Sequence, residues 1–243
     1  MFKKVLFLLS FFLFSFTIIS FANETDLNQN DILFKPGEQI TYLISWNGIG
    51  IGDMKLTFWG DDNFEGKDVY KITSETNSTQ YDGMETIYVD KERFIPLVVF
   101  RELKYMGKQE KIEERYDQEN NILTITKQKS DNVEKQVIEK DTNIQNSILL
   151  YYLTRLKKVK VGENFDVVLP TRDYNIKVKD IQNIKDANGK KVESYLFTST
   201  PKKFKIWVGK DKNIFPIKMT CSSFLSVVSM HFKDIKYIDL ALE

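Results

Sequence analysis

The chain has 243 residues, with 35 Lys and Arg against 34 Asp and Glu, and a single Cys. That balance excludes a nucleic-acid binder built on a net basic surface, and the five Arg are scattered at 93, 101, 115, 155 and 172, whereas dense phosphate or carboxylate recognition leans on Arg. One Cys excludes an intramolecular disulfide, so the fold must rest on an apolar core, for which this length suffices.

Residues 1–22 read as a signal peptide. Lys3 and Lys4 precede the apolar run Val5 to Ser20, and Ser20-Phe21-Ala22 places small residues at both key positions of a signal-peptidase site. A retained anchor would need roughly 20 apolar residues; the small exit and the polar Asn23-Glu24-Thr25-Asp26 favour cleavage instead. No Cys stands near the site, so lipidation there is not expected. The expectation is a periplasmic or secreted, soluble chain with no membrane span after cleavage. Its mature form carries 33 basic and 34 acidic residues, with a flexible lead-in over 23–33 and one β-rich domain over 34–243.

Phe34 to Trp59 reads as a strand, a glycine-rich reversal and a second strand. Ile40, Tyr42, Ile44 and Trp46 share one face of the first; Met54, Leu56 and Phe58 share one face of the second. Gly48, Gly50 and Gly52 alternate with Ile49 and Ile51. Such spacing clears side chains from one strand face, so the strand can bend or admit another segment. No strand-loop-helix context follows that would cradle a phosphate. Asp61 to Lys67 then makes a turn, Val69 to Thr76 alternates, Asp82-Gly83 is a turn pair, and Glu85 to Asp90 is strand-like. Pro96 breaks Phe94 to Leu103 and suits an edge or a strand start. Lys108 to Tyr116 carries charge at nearly every position and reads as a solvated strand, turning at Asp117 to Asn121 into Ile122 to Thr126.

The charged stretch Lys127 to Asp141 is the one plausible seam, but no Gly, Ser or Pro linker divides the chain and no internal repeat is visible. Asn146 to Leu156 is the convincing helix. Leu149, Tyr152, Leu153 and Leu156 recur at helical spacing, Asn146 or Ser147 offers an N-cap, and Lys157-Lys158 stands at the far end. Strands resume with Phe165, Val167 and Leu169, then Tyr174, Ile176 and Val178. Asn188-Gly189 is a hairpin signal. Phe204, Ile206 and Val208 alternate, and Phe215 to Cys221 and Phe224 to Ile238 follow. The pattern predicts a mainly β fold: a single large curved antiparallel sheet, curled into an open or half barrel or folded over as a sandwich, with one α-helix at about 146–156.

Catalytic constellations are not predicted. His231 is the only histidine, in a strand-like run, with no second His for a metal or triad. Cys221 has only His231, ten residues on, as a prospective base. Asp61-Asp62-Asn63 lacks the spacing of a calcium loop, the Glu and Asp residues show no acid–base pairing, and no Gly-x-Ser-x-Gly elbow occurs. No cofactor site is predicted. Aromatic content stands out, at 18 Phe, 11 Tyr and 3 Trp. It supplies core mass; alternatively, it lines an apolar cavity or groove with residues such as Tyr42, Ile44, Trp46, Phe58 and Trp207.

One further pattern runs through the chain. It comprises Phe34-x-Pro-Gly-Glu38, Tyr42 and Trp46-Asn-Gly-Ile-Gly50-Ile-Gly52; Tyr88-Val89-Asp90 before Phe94-x-Pro96; and Gln145-Asn146 with Leu149-Leu150-Tyr151-Tyr152-Leu153-x-Arg155. Lys160-Val161-Gly162 and Ile206-Trp207-Val208 with Asp211 and Pro216 complete it. The order of these motifs resembles the domain of unknown function 3108 family of exported bacterial proteins. That resemblance implies a mainly β, lipoprotein-carrier-like fold, similar to periplasmic lipid carriers; it implies no established activity and supplies no catalytic residues. The leading expectation is a non-enzymatic periplasmic protein holding a lipid or other apolar envelope component in the concave face of the sheet. The alternative is an envelope scaffold that binds a protein through an exposed sheet edge, with Lys108 to Tyr116 as the candidate edge. A hydrolase, the third reading, lacks a nucleophile–base pair.

Overall fold

The computed structural model describes residues 34–240 apart from 80, 106, 130, 131, 157, 158, 211–213 and 223–225. The predicted signal peptide 1–22, the lead-in 23–33 and the Lys157-Lys158 pair lie outside the described residues. The first meander comprises β1 (Glu38–Trp46), β2 (Ile49–Phe64), β3 (Lys67–Ser78), β4 (Asp82–Asp90), β5 (Pro96–Tyr105), β6 (Lys108–Asp117), β7 (Ile122–Lys129) and β8 (Asn132–Glu139). A 3₁₀ turn, Ser147–Leu149, runs into α1 (Leu150–Leu156). The second meander comprises β9 (Asn164–Val168), β10 (Asp173–Lys185), β11 (Lys191–Thr200), β12 (Phe204–Gly209), β13 (Pro216–Ser222) and β14 (Val227–Tyr237).

The 14 strands of the described residues form one antiparallel sheet in the order β8-β7-β6-β5-β4-β3-β2-β1-β14-β13-β12-β11-β10-β9. Each strand pairs with its chain neighbour, and the β1–β14 ladder from Glu38–Tyr237 to Trp46–Val228 joins the two meanders at the centre. The sheet is not closed into a barrel; β8 and β9 are its edges. It is nonetheless curled, because one short segment touches both flanks. The Ile144 N–H donates to the Gln118 side chain at 3.0 Å, and the next residue, Gln145, donates its N–H to Val168 O of β9 at 2.7 Å. The helix then lies inside the curl.

Alternation sets the two faces. Ile40, Tyr42 and Ile44, then Met54, Leu56 and Phe58, then Tyr70 and Ile72, then Ile87 and Val89 bury toward the interior, as do Ile176, Val178, Ile206, Val208, Ile217 and Met219 of the second meander. The predicted opening hairpin is present. At Gly52 a Cβ would stand 2.1 Å from the Asn77 carbonyl oxygen, so the missing side chain lets β3 approach, as the glycine spacing predicts. Ile51 accommodates a register shift between Ile44 and Ser45.

Three local readings change. Lys108 to Tyr116 is neither solvated on both faces nor an edge: β6 pairs with β5 and β7 on either side. Its Glu110, Ile112, Glu114 and Tyr116 are buried, because partners on neighbouring strands compensate the carboxylates. Arg101 of β5 ion-pairs with Glu114, and the Tyr116 hydroxyl donates to it at 2.6 Å. Asp82-Gly83 begins β4 instead of forming the turn, which falls just before it. Pro96 does start a strand, β5, as predicted, and what changes is Phe94, which precedes it as a turn residue at φ +53, held by its N–H donating to Asp90 O, with its ring fully buried.

Candidate functional site

The interior is built around the helix. Asn146 caps the 3₁₀ turn by accepting from the Ile148 N–H at 2.8 Å. The helical spacing predicts a single apolar stripe; instead Leu149, Leu150, Tyr151, Tyr152, Thr154, Arg155 and Leu156 are all buried, since sheet surrounds the helix on several sides. Tyr152 packs against Phe34, Phe58 and Phe94, with ring centroids 4.9, 6.2 and 5.9 Å away. Tyr151 packs against Tyr42 at 5.3 Å and donates its hydroxyl to Met230 Sδ on β14. The Tyr42 hydroxyl is buried with no hydrogen-bond partner among the described residues, and burial pushes it well above the usual phenol range.

Arg155 forks onto Glu38 of β1, with Nη1 on Oε1 and Nη2 3.0 Å from Oε2; both residues are under 5% exposed. Its guanidinium also lies over the Phe34 ring at 5.3 Å. This bidentate pair fixes the last turn of the helix to the central strand. A buried pair is weak evidence for net stability, but losing one partner leaves an uncompensated charge. It therefore acts as a latch between the helix and the central strand.

At the opposite end of β1 the inner wall opens. Trp46 continues the inward parity of Tyr42 and Ile44 and pairs with Ile49 and Val228. Trp46, Ile49 and Tyr81 are 44%, 72% and 41% exposed. Tyr81 reaches over Gly83, where a Cβ would lie 3.3 Å from its ring and 3.1 Å from Leu103. Burial raises the Tyr151 hydroxyl well above the usual phenol range. A polar recess of about 370 Å³, lined by Ser78, Tyr81, Asp82, Lys104, Tyr105 and Lys108 among others, opens beside this rim.

Of the five residues predicted to line a groove, Tyr42, Ile44 and Phe58 are together on the inner wall beneath the helix, and Trp46 is at its rim. Trp207 is not with them. It alternates with buried Ile206 and Val208 and therefore points to the convex face, where its indole N–H donates to Gln182 and Lys218 stands over the ring. The spacing Phe204-Ile206-Val208 already carried that signal, since Trp207 has the opposite parity. The Glu38–Arg155 latch and Tyr81 escaped sequence reasoning: the latch joins residues 117 apart, and Tyr81 lies in a turn.

Cys221 and His231 do not meet. Cys221 faces Val228 on the inner side, whereas His231 stands opposite Lys218 and Leu43 on the outer side. Burial and the Lys218 charge lower the imidazole from its ordinary value, which favours its neutral form. Among the described residues, no three His, Cys, Asp or Glu gather as a metal site, and no helix is long and apolar enough to cross a membrane.

No curated protein matches the chain. Among solved structures, a beta-barrel-like protein of domain of unknown function DUF1849 from Brucella abortus is similar. It is 8% identical at a TM-score of 0.46, with 83% of this chain and 98% of that chain covered. The family described as Protein of unknown function (DUF3108) matches residues 41–233, and the chain belongs to that family.

Proposed function

We propose that the chain is exported to the bacterial envelope and serves there as a non-enzymatic carrier of an amphiphile, the acyl part of which occupies the inner wall of the curled sheet. The observation that carries this reading is the arrangement of cover and rim. An open sheet presents Tyr42, Ile44, Phe58 and their neighbours inward, and a short helix covers them. At the end of the sheet where β1 turns into β2 and β3 into β4, Trp46, Ile49 and Tyr81 form an exposed apolar rim. Two-faced packing alone gives no reason to leave three large apolar side chains at one mouth, whereas a ligand entrance does. The recess with Lys104 and Lys108 gives the polar head of an anionic amphiphile a place beside the rim. In this reading the helix is a plug, seated when the wall is empty and displaced when an acyl chain enters. Export is supported by the basic-apolar-small pattern of residues 1–22.

Protein recovered from its native envelope and sprayed under non-denaturing conditions should carry a lipid-sized mass that organic extraction removes. Recovery of apo protein only, with no mass added after incubation with phospholipid vesicles, would contradict the proposal.

A further inference from the structure

The first edge of the sheet is unlike the second. β9 is five residues long, and Gln145 already donates its N–H to the Val168 carbonyl there. β8 is eight residues long, pairs among the described residues with β7 alone and is exposed at every position but Ile138. Its register opposite Leu123 and Ile125 turns Glu134, Gln136 and Ile138 toward the inner side, so Val133, Lys135, Val137 and Glu139 share the convex side. Val133 and Val137 are 61% and 54% exposed. Neither Lys135 nor Glu139 has an ion-pair partner in the chain among the described residues. A long, regular, half-apolar edge is a template for another strand.

We propose that β8 pairs with β8 of a second copy of this chain, antiparallel about a two-fold axis at Val137, so that two sheets continue into one. Charge selects both the partner and the register. Opposed residues of two such strands must lie on the same face, so the axis passes through a single residue. An axis at Val137 puts Lys135 opposite Glu139 twice, sets Val137 against its own copy and pairs Gln136 with Ile138. One step beyond, Glu134 comes opposite Lys140, whose ammonium already pairs with Asp173 within the chain at 2.8 Å, so this pair adds little to the choice of register. An axis at Lys135 or Glu134 sets like charges face to face, and one at Gln136 sets Lys135 against Val137 and Glu139 against Val133. Opposite charges directly across an antiparallel pair stabilise it and like charges destabilise it. The edge is therefore self-complementary about Val137, the register that also sets this exposed valine against its own copy.

A strand-to-strand contact is small, so association should depend on concentration. The test is register-specific cross-linking in a Cys221→Ser background. Val137→Cys would bring two thiols together across the axis, at a Cα separation of roughly 4.5–5.5 Å that suits a disulfide. Under mild oxidation it should give covalent dimer, and Val133→Cys should not. In light scattering without cross-linking, Lys135→Glu should weaken the dimer at least tenfold and Lys135→Glu/Glu139→Lys should restore it. A monomer at every concentration, with Val137→Cys linking no faster than Val133→Cys, overturns the proposal and leaves the edge to a strand from another protein. Equal linking at both positions overturns it as well.

Discussion

At the scale of single residues, the Glu38–Arg155 pair is the most consequential contact in the interior. Arg155→Met should cost about 3–5 kcal/mol in urea unfolding, because it leaves Glu38 charged and unpaired in the core. Glu38→Leu combined with Arg155→Met should recover most of that loss; equal loss in the double variant would mean that packing, not charge, sets the cost. Gly52→Ala drives a methyl into the Asn77 carbonyl and should cost about 1–3 kcal/mol, the range for overpacking. His231 gives a pH signature. Its folded form holds the proton less tightly than its ordinary value near 6.5, so protonation favours the unfolded chain. Its stabilising contribution is present above pH 6.5 and is lost as the pH falls through the folded value. His231→Gln should flatten the acid side of the stability profile below pH 6.5, and an unchanged slope there would show that other groups set it.

At the scale of elements, the helix and most strands were legible from periodicity alone. Asn146 to Leu156 carried a helical repeat, and runs such as Tyr70-Ile72 or Ile206-Val208 alternated with the period of a pleat. Compensation across strands was not legible. Lys108 to Tyr116 reads as solvated because no local window shows that Glu114 will meet Arg101 and Tyr116 inside the sheet. The helical spacing likewise shows only one buried side, since the second layer of neighbours comes from Met230 and Phe34, far away in the chain. The cap and the plug can be separated by experiment. Asn146→Ala should cost about 1 kcal/mol through the lost cap. Tyr152→Ala should cost about 3–5 kcal/mol, because the ring is fully buried among three others. Tyr152→Ala costing less than the cap variant in urea would show that the plug does not hold the core.

At the scale of the whole molecule, the balanced total charge conceals a division. Residues 34–156 hold 16 Lys and Arg against 21 Asp and Glu, whereas residues 157–243 hold 17 against 10. The first meander is therefore acidic and the second basic, and the β1–β14 ladder is the line between them. The sheet also separates its three tryptophans. Trp46 is on the inner rim, whereas Trp59, donating to Thr73, and Trp207, donating to Gln182, are on the convex face. These positions turn the proposed working surface into an optical question. Three single-tryptophan variants, the other two positions replaced by Phe, are mixed with phospholipid brominated along its acyl chains. If the inner wall takes the acyl chain, Trp46 fluorescence is quenched while that of Trp59 and Trp207 is not. Quenching of Trp207 with Trp46 untouched would place the lipid on the convex side and contradict the account.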